Sequence, residues 1–275
     1  MKRLGPDSAV RMTLRRSLDL LLNGAQAAAG VNRRLDRLAA QTPAMDVLVL
    51  GIYGGDTVAR EAVQALGQTK HRVSFALGSL DPHPLPGLES STLATGMRGN
   101  KFVNINDLLP KLEPREPPRW TLLLDDDVLF PPRFLDRFLA LCEHFDLVLA
   151  QPAMSRRSHA SYKVTRRRPG SLVRQTLFVE GGQLTAIRQE AAGELLPFPP
   201  DSEMWGLDLH WAGVAEDHGW RLGVVDACPV RHEFRPTGQT YSVPEAAGRG
   251  LEFVRVHRSL APEQAERTLV VHRKL

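Results

Sequence analysis

The sequence predicts an α/β protein: a central sheet flanked by helices, with a helical extension at its N-terminal end. Three observations carry this. From Met45 onward, short β-prone runs alternate with helical stretches. The runs are continuously apolar, as strands covered on both faces are. Before Pro43 the apolar spacing is that of a helix instead.

The elements follow in order. Leu14, Leu18, Leu21, Ala25, Ala28, Asn32, Leu35 and Ala39 recur at alternating steps of four and three, so one helix is expected over about 12–40. Asp46-Val-Leu-Val-Leu-Gly-Ile-Tyr53 reads as the first strand, stopped by Gly54-Gly55. A helix from Asp56 to about Gly67 and a second strand, Arg72 to Leu77, complete a β-α-β unit. Past a proline-rich loop, a short helix is expected near Asn106–Leu112. Trp120-Thr-Leu-Leu-Leu124 is a third strand, Pro131 and Pro132 open a helix to about Phe145, and Leu147-Val-Leu-Ala150 is a fourth strand. Three units result: a basic amphipathic helix over 1–43, a catalytic-sized domain over 44–245, and a helical tail over 246–275.

Composition narrows the class. With 43% hydrophobic and 24% charged residues among 275, the chain can bury a core and is not a disordered polymer. Cys142 and Cys228 are its two cysteines, too few for a disulfide framework or a four-cysteine zinc site, and a reducing, cytoplasmic setting is expected. No apolar run reaches the roughly 18 residues of a membrane span. Residues 1–42 carry eight lysines and arginines against three acids, whereas the other 233 carry 27 against 28. The body is therefore neutral, which argues against nucleic-acid binding, while the basic helix suits self-association or peripheral contact with an anionic membrane.

The third strand ends in Asp125, Asp126 and Asp127. Alternation along an extended chain sends Asp125 and Asp127 to one face and Asp126 to the other. Three adjacent carboxylates repel one another, and a hard divalent cation, Mn2+ or Mg2+, is the economical way to neutralise them. Asp127 is the first candidate ligand, because a carboxylate at a strand tip reaches both a cation and a diphosphate that the cation bridges.

A hydrophobic strand ending in Asp-x-Asp after a β-α-β opening resembles the GT-A fold of nucleotide-sugar glycosyltransferases, the family-2-like enzymes most closely. Over residues 45–240 three later segments agree with this in order. Phe178-Val-Glu-Gly-Gly-Gln-Leu-Thr-Ala186 is read as a strand with a glycine pair, similar to the segment beside the donor sugar. Glu203-Met-Trp-Gly-Leu-Asp208, ahead of a helix from Leu209 to about His218, resembles the acidic motif that supplies the base in inverting members. Gly223 to His232 is a strand ending in histidine, similar to the residue that completes many of their metal sites.

The resemblance implies a mixed, Rossmann-like sheet and metal-dependent transfer of a sugar, most simply a UDP-linked hexose, to a glycan, lipid-linked or small-molecule acceptor. Asp208 would be the base and Glu203 its rival, with Asp127 and His232 as metal ligands. The donor would be held by Tyr53, Asp81, Lys101, Asn104, Asp125, Asp126, Gly181 and Gly182, and the acceptor by Trp205, Gly206 and His159. Between Ala153 and Val179 lie seven basic side chains uninterrupted by acids, Arg156, Arg157, Lys163, Arg166, Arg167, Arg168 and Arg174, read either as a solvated loop face or as a wall for the diphosphate. Two alternatives stand beside transfer. Leu-Leu-Leu-Asp125-Asp126-Asp127 also resembles the nucleophile element of haloacid-dehalogenase-like phosphohydrolases, although a complete β-α-β unit precedes it here. A nucleotide-sugar or glycan-binding module without turnover would carry the same motifs.

Overall fold

A computed structural model describes residues 9–55, 57–113, 116–202, 205–232 and 243–275. Two helices open the chain, α1 (Ala9–Ala28) and α2 (Val31–Gln41). The expected single helix is broken at Gly30, whose φ of 68° lies in the left-handed region that glycine adopts without strain. The expected seam is divided as well. Leu35 and Ala39 are buried, but Leu14, Leu18 and Leu21 are 60%, 42% and 68% exposed. The face of α1 that meets the domain is its polar one. Asp19 accepts from the amides of Arg156 and Arg157, and the Arg167 guanidinium bridges Asn23 and Gln26.

The domain then follows the expected alternation: β1 (Asp46–Tyr53), α3 (Ala59–Gly67), β2 (Arg72–Ser79), β3 (Thr92–Ala94), α4 (Lys101–Leu108), β4 (Trp120–Asp125), α5 (Phe134–His144), β5 (Leu149–Met154), β6 (Val173–Thr176), β7 (Leu184–Arg188), α6 (Gln189–Leu195), α7 (Leu207–His218) and β8 (Leu222–Val230). It closes with α8 (Val243–Val256) and β9 (Thr268–His272). One mixed sheet runs β3-β2-β1-β4-β7-β5-β8-β6-β9. β1 is parallel to β2 and β4, and β5 to β8, while β7 lies antiparallel between β4 and β5. The central strands are apolar throughout because helices cover both faces. Phe134 and Phe138 of α5 stack on one side, and Phe102, Phe198 and Trp211 meet edge to face or tilted on the other.

Several boundaries depart from expectation: β5 runs Leu149–Met154 rather than from Leu147 to Ala150, and β8 ends at Val230, two residues short of His232. α4 starts at Lys101, not Asn106, because the Asn100 carboxamide oxygen accepts from the Phe102 and Val103 amides and caps the helix there. The Gly181-Gly182 pair forms a bend, and strand begins only at Leu184, past Gln183 at φ 51°. α7 begins at Leu207, which places Asp208 inside its first turn. The C-terminal tail is not wholly helical: β9 pairs antiparallel with β6 at the sheet edge.

Candidate active site

The carboxyl ends of β1 and β4 open on one edge, where α/β sheets hold their ligands. Asp125, the last residue of β4, is fixed from two sides. Its backbone amide donates to the Gln183 carbonyl and its Oδ2 accepts from the Gln183 amide at 2.6 Å, so the bend after the glycine pair is tied to the strand tip. On the other side the Lys101 ammonium, itself almost buried, lies 2.5 Å from Asp125 Oδ1 and 3.1 Å from the Gly181 carbonyl. Burial opposes ionisation of Asp125, but Lys101, His232 and the Gln183 amide together hold its carboxyl below the ordinary range.

Two strand tails are stitched by reciprocal backbone bonds between Leu129 and Arg231. This brings Asp127 and His232, each buried, to 3.0 Å between Oδ1 and Nε2. Burial disfavours the imidazolium, yet the adjoining Asp127 and Asp125 carboxylates outweigh it and hold His232 above the usual histidine value. Asp125, Asp127 and His232 each offer one ligand atom within 4.8 Å of the others. Two carboxylate oxygens and one imidazole nitrogen form a donor set that suits Mn2+ better than a soft metal. The residues therefore fit a divalent cation.

Gly181 and Gly182 border this group at close quarters. A Cβ at Gly181 would stand 3.2 Å from Phe102 and 3.3 Å from Trp211, and one at Gly182 would stand 3.4 Å from Asp125 Oδ2. Asp208 is buried at the start of α7, its Oδ1 accepting from the Leu209 amide at 2.9 Å. Desolvation, then the nearby Glu180 charge, pushes its carboxyl up to about 7. Glu180 is the residue that sequence reasoning missed. Buried and raised in the same way, it keeps one carboxylate oxygen without a hydrogen-bond partner among the described residues. The signal was present in Phe178-Val-Glu180-Gly181-Gly182, an acid set in an apolar run ahead of the glycine pair.

Other candidates have structural duties. Asp126 turns away from the cluster; its carboxylate accepts from the Gly54 amide and its carbonyl from Val58 and Thr57, shaping the loop after β1. Asp81 accepts from the Gly55 amide in the same loop. Tyr53 is buried, with its hydroxyl on Thr92 and the Leu85 amide, and the Asn104 carboxamide is held by both backbone groups of Gly99. Gly206, at φ 100°, permits close approach by α8 rather than leaving open space: a Cβ there would meet the Gly250 carbonyl at 2.9 Å. Trp205 is half-buried on the same contact, since a Cβ on Gly250 would stand 2.7 Å from the Trp205 carbonyl. The His159 ring stands 6.4 Å from that of His232. Glu203 lies outside the described residues.

Two of the seven basic side chains between Ala153 and Val179 are taken up inside the protein, whereas Lys163 and Arg168 are exposed. Arg174 is buried in a two-pronged pair with Asp226, and Arg167 is buried against α1.

The mixed sheet, with β7 antiparallel beside the Asp-x-Asp strand β4, is that of the GT-A fold, and solved structures agree. The chain aligns with GalNAc-T7, solved with UDP, GalNAc and Mn2+, at a TM-score of 0.57 and 13% identity, over 78% of this chain and 48% of that one. It aligns with the mannosyltransferase PcManGT from Pyrobaculum calidifontis, solved with GDP-Man and Mn2+, at 0.53 and 15% identity, over 92% of this chain and 79% of that one. The chain thus spans about half the length of the first and most of the second. No family model matches the sequence, and no curated protein matches it either.

Proposed function

We propose that the protein is a metal-dependent glycosyltransferase that moves a sugar from a nucleotide-diphosphate sugar to an acceptor hydroxyl with inversion. The observation that carries this reading is the convergence of Asp125, Asp127 and His232 at the sheet edge. Asp125, Asp127 and His232 would hold the cation, whose charge, when it is bound, offsets that developing on the departing diphosphate. Lys101 adds a second positive charge beside Asp125. Asp208, with a carboxyl that ionises near neutrality, takes the proton of the acceptor hydroxyl. The glycine pair lets the backbone pass close to Asp125, Phe102 and Trp211, where side chains would crowd the edge of the cation group. Neither the neighbours nor the commitment of Asp125 to Lys101 and Gln183 favours the phosphohydrolase reading.

UDP is the first nucleotide to test and GDP the second. Thermal shift with each, with and without Mn2+, and sugar release from UDP- and GDP-linked hexoses form the experiment. Stabilisation only with nucleotide and metal together, with sugar release, supports transfer. Indifference to every diphosphate removes the proposal.

The outward face of α1 supports peripheral contact with a membrane surface. Because Asp19 is buried against the domain, the outward face shows Leu14, Leu18, Leu20 and Leu21 with no acid among them. With a surplus of positive charge over residues 1–42, a second copy would meet like charge, so an anionic lipid surface is the better partner. Among the described residues no helix is long and apolar enough to cross a membrane. Co-sedimentation with anionic but not zwitterionic vesicles, lost in Leu18→Ser/Leu21→Ser, is expected; a dimer in solution that ignores vesicles overturns it.

A further inference from the structure

We propose that Asp19, on a helix outside the sheet, is a positioning residue for the cation group: it fixes the turn over residues 155–159 on which His232 is seated. The inference rests on reading Asp125, Asp127 and His232 as a metal group and adds a component from α1 that the motifs do not announce.

The connection is continuous. The Asp19 carboxylate accepts from two successive amides, Arg156 at 2.9 Å and Arg157 at 3.2 Å. Both belong to a turn closed by the Ser158 amide on the Ser155 carbonyl at 3.1 Å, with the two serine hydroxyls 2.7 Å apart. The turn is fastened to the end of β8. Ser155 donates from its amide to the Val230 carbonyl at 3.0 Å, the Ser158 hydroxyl accepts from the His232 amide at 3.0 Å, and the His159 amide donates to the His232 carbonyl at 2.8 Å. His232 Nδ1 faces the His159 carbonyl at 3.4 Å, which leaves Nε2 toward Asp127. An orienting contact on one ring nitrogen is how proteins aim the other at a metal.

α1 cannot slide out of register with this turn. The Arg167 guanidinium is clamped by Asn23 at 2.6 Å and Gln26 at 2.7 Å, and the Gln26 amide group donates to the Ala227 carbonyl of β8 at 3.0 Å. Asp19 is the one acid in α1, and it is buried. A buried carboxylate is costly unless it is well paired, so a leucine would serve a purely packing role better. A carboxylate aligned on two amides fixes a backbone direction as well. Losing it frees the His232 turn while leaving in place Asp125, the last residue of β4, and Asp127, two residues further on in the segment that Leu129 ties to Arg231.

The test uses the full-length chain. Mn2+ affinity is measured with the metal alone by electron paramagnetic resonance, and the His232 imidazole is followed by NMR in metal-free protein, assigned through His232→Asn. Asp19→Asn and, from the other end of the link, Ser158→Ala are compared with the parent. Asp46→Asn serves as a control, its partner being the exposed Arg72. Asp19→Asn and Ser158→Ala should each weaken Mn2+ binding about tenfold, the low end for groups that orient a ligand, and both should move the His232 resonance. Should Asp19→Asn fail to fold, Ser158→Ala and Arg167→Met, which loosens α1 from its own side, carry the same expectation. Parental affinity and an unmoved resonance overturn the proposal. If the parent itself binds no Mn2+, the metal reading fails instead, and an unmoved resonance still decides against Asp19.

Discussion

The ammonium of Lys101 stands 2.5 Å from Oδ1 of Asp125, the carboxylate that completes the Asp125, Asp127 and His232 group. A cation bound to that group and the lysine therefore compete for the same negative charge. Lys101→Met should tighten binding of Mn2+ alone by about tenfold or more, because one unit charge a few ångströms away is removed. The same change should weaken nucleotide binding in the presence of Mn2+, since the diphosphate loses a positive partner. Titrating Mn2+ alone and then UDP at saturating Mn2+ separates the two effects. If both affinities fall together, Lys101 acts only by supporting the fold.

Asp127→Asn removes a formal charge and weakens the group as a cation site. Nucleotide affinity should lose its dependence on Mn2+, and transfer should fall with it. Calorimetry with and without metal checks this. Undiminished metal dependence would mean that the cation site lies elsewhere.

Asp208 gives a prediction of opposite sign for stability and for activity. Its folded-state carboxyl ionises near 7, above the ordinary 3.8, so the native state holds this proton more tightly than the unfolded chain does. Stability from this group is complete below about pH 4 and falls as pH rises toward 7, by at most about 4 kcal/mol, after which the loss is constant. Asp208→Asn should therefore raise the melting temperature at pH 8 and leave it nearly unchanged at pH 4. Activity runs the other way: kcat/KM of the parent should climb through about pH 7 as the base forms, and the variant should lose roughly two or more orders of magnitude in turnover while binding nucleotide and metal. A variant that transfers sugar at the parental rate reduces Asp208 to a residue of the helix start.

What was legible beforehand follows from which forces are local. The strands of β1 and β4 and the helix α5 were readable because apolar runs and prolines act over a few residues. The Asp-x-Asp tip and His232 were readable because each ends such a run. Distant polar partners were not. The four-and-three spacing of α1 describes a face that points outward, because Asp19, Asn23 and Gln26 find donors and acceptors more than a hundred residues away. The bond from the Gly54 amide to the Asp126 carboxylate, across 72 residues, was likewise not legible.

The basic stretch invites a final prediction, because seven cations uninterrupted by an acid suggest phosphate binding whereas the structure gives Arg174 another use. Its guanidinium makes a two-pronged pair with Asp226 at 2.8 and 2.9 Å and donates to the Val164 and Arg166 carbonyls. Both side chains are buried, and Asp226 also accepts from the Arg168 amide, so the pair ties β6, β8 and the loop before them together. Arg174→Met leaves Asp226 charged and uncompensated inside the protein, which should cost about 3–5 kcal/mol, or roughly 10 °C in melting temperature for a chain of this size. Arg174→Met/Asp226→Leu removes both charges and should recover much of that loss, since apolar replacement of a buried pair is often close to neutral. In the folded fraction, affinity for nucleotide with Mn2+ should match the parent. A large drop in nucleotide affinity with little change in stability would return Arg174 to the diphosphate wall.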